Sequence, residues 1–183
     1  MGLAVHTGRP VDAAGRLPQE LAVYDLLDGV GIKYDRVDHE PVRTMDACAE
    51  IDVALAPAAV CKNLFLRDSK RTGLYLLMLC GDKKLRAKEI ARQVGCSRLE
   101  FAPPELMERH LGIEPGAVTV MGLMNDTDNQ VNLLVDKDLL AAEYIGCHPC
   151  VNTSSLRLRS SDLFGPVLAT LHHGYTPVTV EPA

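Results

Sequence analysis

The stretch Leu74-Tyr75-Leu76-Leu77-Met78-Leu79, opened by Gly73 and closed by Cys80, restricts this chain more than any other feature. It is too short to cross a bilayer, and it shows neither the alternation of a half-exposed strand nor the period of an amphipathic helix. Such a run reads as a strand covered on both faces, which demands layers of structure on either side of one sheet. Further strands are expected at Ile32–Val37, Val60–Leu66, Ala117–Leu123, Val131–Val135 and Ser155–Arg159, with an edge strand near Val178. Helices are expected from Pro18 to a Gly31 cap, from a Thr44 cap through about Ala54, and over about Arg86–Val94. Two more are expected over about Pro104–His110, closed by Gly112, and over Leu163–His172.

Short strands and helices without strict βαβ alternation give a mixed α/β (α+β) fold class: one domain built on a curved mixed β-sheet flanked by helices. The chain has 183 residues, 47% of them apolar, which suffices for a sizeable core, and no repeat, low-complexity tract or long linker divides it. Residues 1–17 are aperiodic and rich in Gly, Ala and Arg, so they read as a flexible lead-in to a domain over residues 18–183. No signal peptide or membrane span is visible, so a cytoplasmic protein with no membrane association is expected. Its six cysteines are then expected to be reduced, and most of them to be small buried hydrophobes.

A net charge of −5 argues, as a total, against a nucleic-acid partner. The total conceals a division. Between Lys62 and Arg98 ten basic residues face three acidic ones, a local net of +7, while the rest of the chain carries −12. A polyanion can therefore be met locally by a protein that is acidic overall. The Ala87–Leu99 stretch also has the cadence of a helix-turn-helix, with Gly95 as the turn, which keeps a DNA-binding alternative open. Against it, Glu100, Glu105 and Glu108 would face phosphates, and Pro103-Pro104 stops any second helix early.

Three constellations have the residue types that chemistry needs. Lys62 stands in the middle of the apolar strand Cys61-Lys62-Asn63-Leu64-Phe65-Leu66, where an ammonium is costly to bury unless it meets an anion. A ligand phosphate would make it functional, whereas a solvent-facing edge would make it ordinary. Cys147-His148-Pro149-Cys150 has the spacing of a thiol-disulfide site, but no helix follows it and no second close Cys/His pair completes a zinc site. Gly146, His148, Pro149 and Asn152 together suit a small polar ligand: close backbone approach, a neutral donor or acceptor, rigidity and an orienting amide.

The order and spacing of four segments resemble the YbaK/prolyl-tRNA synthetase-associated editing domain family, from about Pro18 to Val180. The segments are His39-Glu40-Pro41-Val42-Arg43-Thr44, Cys61–Leu66, Gly116–Val120 leading to Gly122-Leu123-Met124-Asn125-Asp126, and Gly146–Pro149 with Asn152-Thr153. Within the family the chain looks most like the freestanding deacylases that clear alanine from mischarged tRNA(Pro). The resemblance implies hydrolysis of the aminoacyl ester at the acceptor end of tRNA without metal or organic cofactor, helped by a ribose hydroxyl. It implies catalytic roles for Lys62, Asn63 and His148. It implies a substrate pocket from Thr44, Gly116, Val120, Leu123, Asn125, Gly146, Pro149 and Asn152. The basic segment would offer Arg67, Lys83, Lys84, Arg86 and Lys88 to the tRNA. Val120 stands where the family often has Pro, and Cys-tRNA(Pro) is the alternative substrate.

Overall fold

Leu76, Leu77, Met78 and Leu79 are completely buried, and alternate side chains of their strand enter two separate cores. The computed structural model describes residues 2–41 and 45–182. In chain order the elements are β1 (Val5–Thr7), α1 (Pro18–Val30), β2 (Tyr34–Asp38), α2 (Met45–Leu55), β3 (Ala59–Asp68), β4 (Leu74–Cys80), α3 (Ala87–Val94) and β5 (Leu99–Phe101). There follow α4 (Pro104–Leu111), a 3₁₀ turn (Val120–Asn125), β6 (Val131–Asp136), α5 (Lys137–Ala141), β7 (Tyr144–Cys147) and β8 (Ser154–Arg159). The chain ends in α6 (Ser160–Asp162), a π turn (Leu163–Val167), α7 (Leu168–Thr170) and β9 (Thr176–Val178).

The sheet runs β1-β2-β8-β7-β3-β4-β6-β9, with β5 added to β3. The pairs β3/β7, β4/β6 and β6/β9 are parallel and the others antiparallel, so the expected mixed sheet is present. One face is covered by α1 (Val23, Tyr24, Leu27), α4 (Met107, Leu111) and the C-terminal helical turns (Leu163, Val167, Leu168), packed on Phe65, Leu76 and Met78. On the other face, α3 sets Ile90 and Ala91 against Leu66, Leu77 and Leu79. A third, smaller cluster lies under α2, where Ile51 and Leu55 meet Val37. Among the described residues, no helix is long and apolar enough to cross a membrane.

Several expectations are corrected. Ala117–Leu123 is no strand: Val120, Met121 and Leu123 are buried through a 3₁₀ turn, which Thr119 caps by accepting from the Met121 N–H. Gly122 allows that turn to lie against α4, since a Cβ there would sit 2.5 Å from Ile113 Cδ1. After Gly95 the chain enters β5, which pairs with β3, and no recognition helix follows. The helix-turn-helix alternative therefore fails. The C-terminal helix begins at Ser160 and ends at Thr170, and it widens to a π turn at Pro166, whose missing N–H interrupts the i−4 ladder. Within the expected lead-in, Val5–Thr7 pairs with β2, and Arg16 bonds Glu20 at 2.8 Å and Asp38 at 2.7 Å. The Thr44 cap lies outside the described residues.

Lys83, expected to contact tRNA, is instead a structural residue. It is 5% exposed, with its ammonium 2.8 Å from Asp136 and 2.6 Å from Asp138. Burial alone would lower its pKa, but the two carboxylate bonds outweigh that and raise it. Asp136 ends β6 and accepts from the Asp138 N–H to start α5, so one carboxylate ties β4's exit, β6 and α5 together. Asp136→Ala leaves Lys83's charge without its buried partner and should cost about 3–5 kcal/mol of unfolding free energy, read by urea denaturation.

Candidate functional site

Two register relations build the site. β8 lies between β2 and β7, with Val37 opposite Ser155 in one ladder and Cys147 opposite Leu156 in the other. The residue after each partner strand, His39 and His148, is thereby delivered to the same small region of β8. His39 N–H donates to Thr153 O at 3.0 Å, fixing the chain as it leaves β2. The two imidazoles come within 6.3 Å, centroid to centroid, nearly edge to face, with Ser155 between them. Ser155 and Val37 belong to the sheet face that carries α2, opposite the one carrying Leu156 and Leu158 in the main core.

The second relation concerns the edge of β3. It pairs with β7 only at Ala59 and Val60 and with β5 only from Leu66 onward, leaving an open edge over the residues between. A cavity of about 610 Å³ occupies this gap, roofed by Ile51, Asp52 and Leu55 of α2. Lys62 and Asn63 project from opposite faces of a strand, yet both line the cavity because it wraps the unpaired edge. Gly146 and His148 line the far wall, with Cys61, Cys80, Cys147 and Ser155. A Cβ on Gly146 would point toward Leu55 Cδ1 at 4.0 Å, so glycine there keeps the space between sheet and roof open. Arg157 holds the roof: it pairs with Asp35 at 2.6 Å and donates to the Leu55 and Ala56 carbonyls at the end of α2.

The electrostatics are uneven. Lys62 donates to the Lys83 carbonyl at 3.1 Å and has no carboxylate partner among the described residues, so its charge is available to an incoming anion. His148 donates from Nδ1 to the Ser154 carbonyl at 3.0 Å. Burial, helped by nearby His39, lowers its pKa below the usual 6.5, so the ring is neutral at pH 7. Cys61 donates to Gly146 O at 3.0 Å, and burial pushes its thiol up to about 12. Asn63 donates to that sulfur at 3.6 Å, while its Oδ1 is buried with no partner among the described residues. Asp52, raised by burial, has no ion pair or hydrogen bond there either.

The structure thus brings Lys62, Asn63, Gly146 and His148 together, while the other expected site residues that it describes lie outside this cavity's lining; Thr44 is outside the described residues. Val120 and Leu123 are core residues, and Asn125 donates to Leu111 O at 2.7 Å, capping α4. Pro149 is buried outside the cavity lining; Gly116, at φ +99°, also lies outside it, and an added Cβ there would sit 3.8 Å from Asn152 Nδ2. Arg67 pairs with Glu100 at 2.9 Å and lines a different cavity with Arg71 and Glu105. Lys84, Arg86 and Lys88 are exposed and follow the cavity's lip at Gly81-Asp82. Cys147 and Cys150 are buried and burial raises both thiols, Cys150 to about 12, the opposite of a redox-active pair. His39, Ser155 and the α2 residues were not selected as site residues from sequence, because their place is set by strand register and helix docking.

Comparison with known proteins identifies the family and the fold. The family described as the aminoacyl-tRNA editing domain matches residues 39–165. A prolyl-tRNA editing protein, ProX, of Acetoanaerobium sticklandii is 33% identical over 142 residues, covering 78% of this chain and 86% of that protein. Prolyl-tRNA synthetase associated domain-containing protein 1 of Danio rerio is 30% identical over 159 residues, covering 86% and 84%. In fold, the chain matches the crystal structure of a candidate trans-editing enzyme for prolyl-tRNA synthetase, with a TM-score of 0.68 at 20% identity over 91% of this chain and 99% of that one.

Two measurements check the electrostatics. The His148 ring protons should titrate by NMR with a midpoint below 6.5. Cys147 and Cys150 should react with a thiol-specific disulfide reagent in the folded protein far more slowly than after denaturation.

Proposed function

We propose that this chain, which belongs to the aminoacyl-tRNA editing domain family, clears alanine from mischarged Ala-tRNA(Pro) as a freestanding, metal-free deacylase. It is an aminoacyl-tRNA hydrolase of the prolyl-tRNA editing type. The observation that carries the finer reading is the set of groups lining the cavity: an ammonium with no carboxylate bonded to it, although Asp52 and Asp82 also line the cavity, one neutral imidazole, one orphaned amide oxygen and a glycine wall.

Each group has a matching part of the substrate. The Lys62 ammonium meets the phosphate of the terminal nucleotide or the polarised ester carbonyl, where charge develops in the transition state. Asn63 Oδ1 is buried without a donor, so the amide turns toward the cavity to accept from a ribose hydroxyl. Nδ1 of His148 is committed to a carbonyl, and Nε2 has no partner among the described residues. That nitrogen takes a proton from a water held beside the free ribose hydroxyl. The resulting hydroxide adds to the ester carbonyl, the bond from carbonyl carbon to ribose oxygen breaks, and the proton passes to the departing oxygen. Water is consumed, and free amino acid and tRNA are released.

Selection is by size. Ile51 and Leu55 above Gly146 bound the aminoacyl part, which admits a methyl side chain and disfavours the ring of proline. Exposed Lys84, Arg86 and Lys88 would carry acceptor-stem phosphates next to the entrance, in the cytoplasm.

Lys62→Ala should lower kcat/KM for Ala-tRNA(Pro) by about 100-fold or more with the fold intact; undiminished activity removes Lys62 from the mechanism. A deacylation panel of Ala-, Cys- and Pro-tRNA(Pro) tests specificity, and preference for the cysteinyl ester would replace alanine with the alternative. Gly146→Val should fold, since its Cβ meets only ordinary contacts, but should abolish turnover by filling the cavity.

A further inference from the structure

We propose that Ser155 and His39 are positioning residues that, together with the Ser154 carbonyl, hold His148 in its Nδ1–H tautomer, so that Nε2 faces the cavity as a proton acceptor. The proposal deepens the deacylase reading and rests on its use of His148.

The donor and acceptor roles follow from two backbone carbonyls, which can only accept. Ser154 O lies 3.0 Å from His148 Nδ1, so that nitrogen carries the hydrogen. Glu40 O lies 2.9 Å from His39 Nδ1, so that nitrogen carries one too, and Nε2 of a neutral His39 is an acceptor. His39 Nε2 is 2.9 Å from Ser155 Oγ, which directs the serine hydrogen toward His39. The oxygen's lone pairs are left for His148 Nδ1–H at 3.3 Å. Every contact in the chain His148, Ser155, His39, Glu40 is thereby satisfied by one assignment of hydrogens. The other tautomer of His148 would set a nitrogen lone pair against the carbonyl of the fully buried Ser154, a repulsion in place of a hydrogen bond.

The relay has no carboxylate. It ends on a main-chain oxygen, and among the described residues no acidic side chain bonds either ring. A histidine held by Asp gains stability as imidazolium. Here burial and the neighbouring His39 outweigh the one bond that favours a charged His148, the one to the Ser154 carbonyl, and the hydrogen bonds serve chiefly to fix orientation. Ser155, 4% exposed, cannot easily turn elsewhere, because the Val37 and Ser155 pairing and the Cys147 and Leu156 pairing hold its backbone from both sides. Such an arrangement suits a base that must accept a proton near pH 7 and release it within the same cycle.

The test uses the full chain and Ala-tRNA(Pro), with kcat and KM measured separately and long-range proton–nitrogen NMR reading which His148 nitrogen bears hydrogen. Ser155→Ala and His39→Leu should each lower kcat about 10- to 100-fold while KM stays within about two-fold. Both variants should show a mixture of His148 tautomers. Ser155→Thr, which keeps the hydroxyl, and His39→Gln, which keeps an acceptor, should recover most of the rate. Wild-type kcat in Ser155→Ala and His39→Leu, or a His148 that stays wholly Nδ1–H in both, overturns the proposal. Should His39→Leu fail to fold, the Ser155→Ala and Ser155→Thr pair decides by the same readings. Full activity in His148→Ala would overturn the base assignment and the relay with it, while leaving deacylation in place. A wild-type protein inactive on every charged tRNA would overturn the deacylase reading, and the tautomer spectra would still decide whether Ser155 and His39 set the ring.

Discussion

The buried pair of Lys83 and Asp136 holds the charged end of the cavity together. Its two members close at 2.8 Å with side chains almost out of water, at the point where β4 ends and β6 turns into α5. The carbonyl of the same Lys83 receives the Lys62 ammonium. A lysine whose own charge is neutralised thus fixes, through its backbone, a second lysine whose charge is not. That distribution leaves Lys62, a cation with no carboxylate bonded to it, exposed at the mouth of the cavity, where a phosphate or an oxyanion can reach it.

The cavity itself is a consequence of incomplete strand pairing. β3 is long enough to serve two partners on one edge, β7 at its start and β5 at its end, and neither reaches the middle. An unpaired edge is ordinarily a hazard for a sheet. Here α2 covers it, held by Arg157 at its C-terminal carbonyls, so the open edge becomes an enclosed site. The polar groups around it are sparse, and most have a partner within the protein. Asn63 Oδ1, His148 Nε2, Asp52 and Asp82 are the exceptions among the described residues.

Much of the fold was legible in the sequence wherever burial imposes a pattern. The Leu74–Leu79 run does lie between two cores, and Gly31 and Gly112 close α1 and α4 in the left-handed conformation. Legibility failed where an apolar run is buried without being a strand, as at Val120–Leu123, and where a strand is too short for alternation to register, as at Leu99–Phe101. Charge was the least reliable guide. The basic segment contains Lys83, which a sequence counts like any other lysine, although its charge is wholly engaged inside the protein.

The sequence by itself determined that the sheet is mixed and covered on both faces and that Lys62 sits in an apolar strand, both of which follow from residue type and order. That Lys62, Asn63, Gly146 and His148 share one site was implied only by the resemblance to the editing family. Only the tertiary structure decided that Ser155 stands between His39 and His148, that α2 roofs the cavity, and that Val120 and Leu123 are core. Those relations depend on which strands pair and in what register. A single-residue shift of β8 would send Ser155 to the opposite face, and no local pattern records the difference.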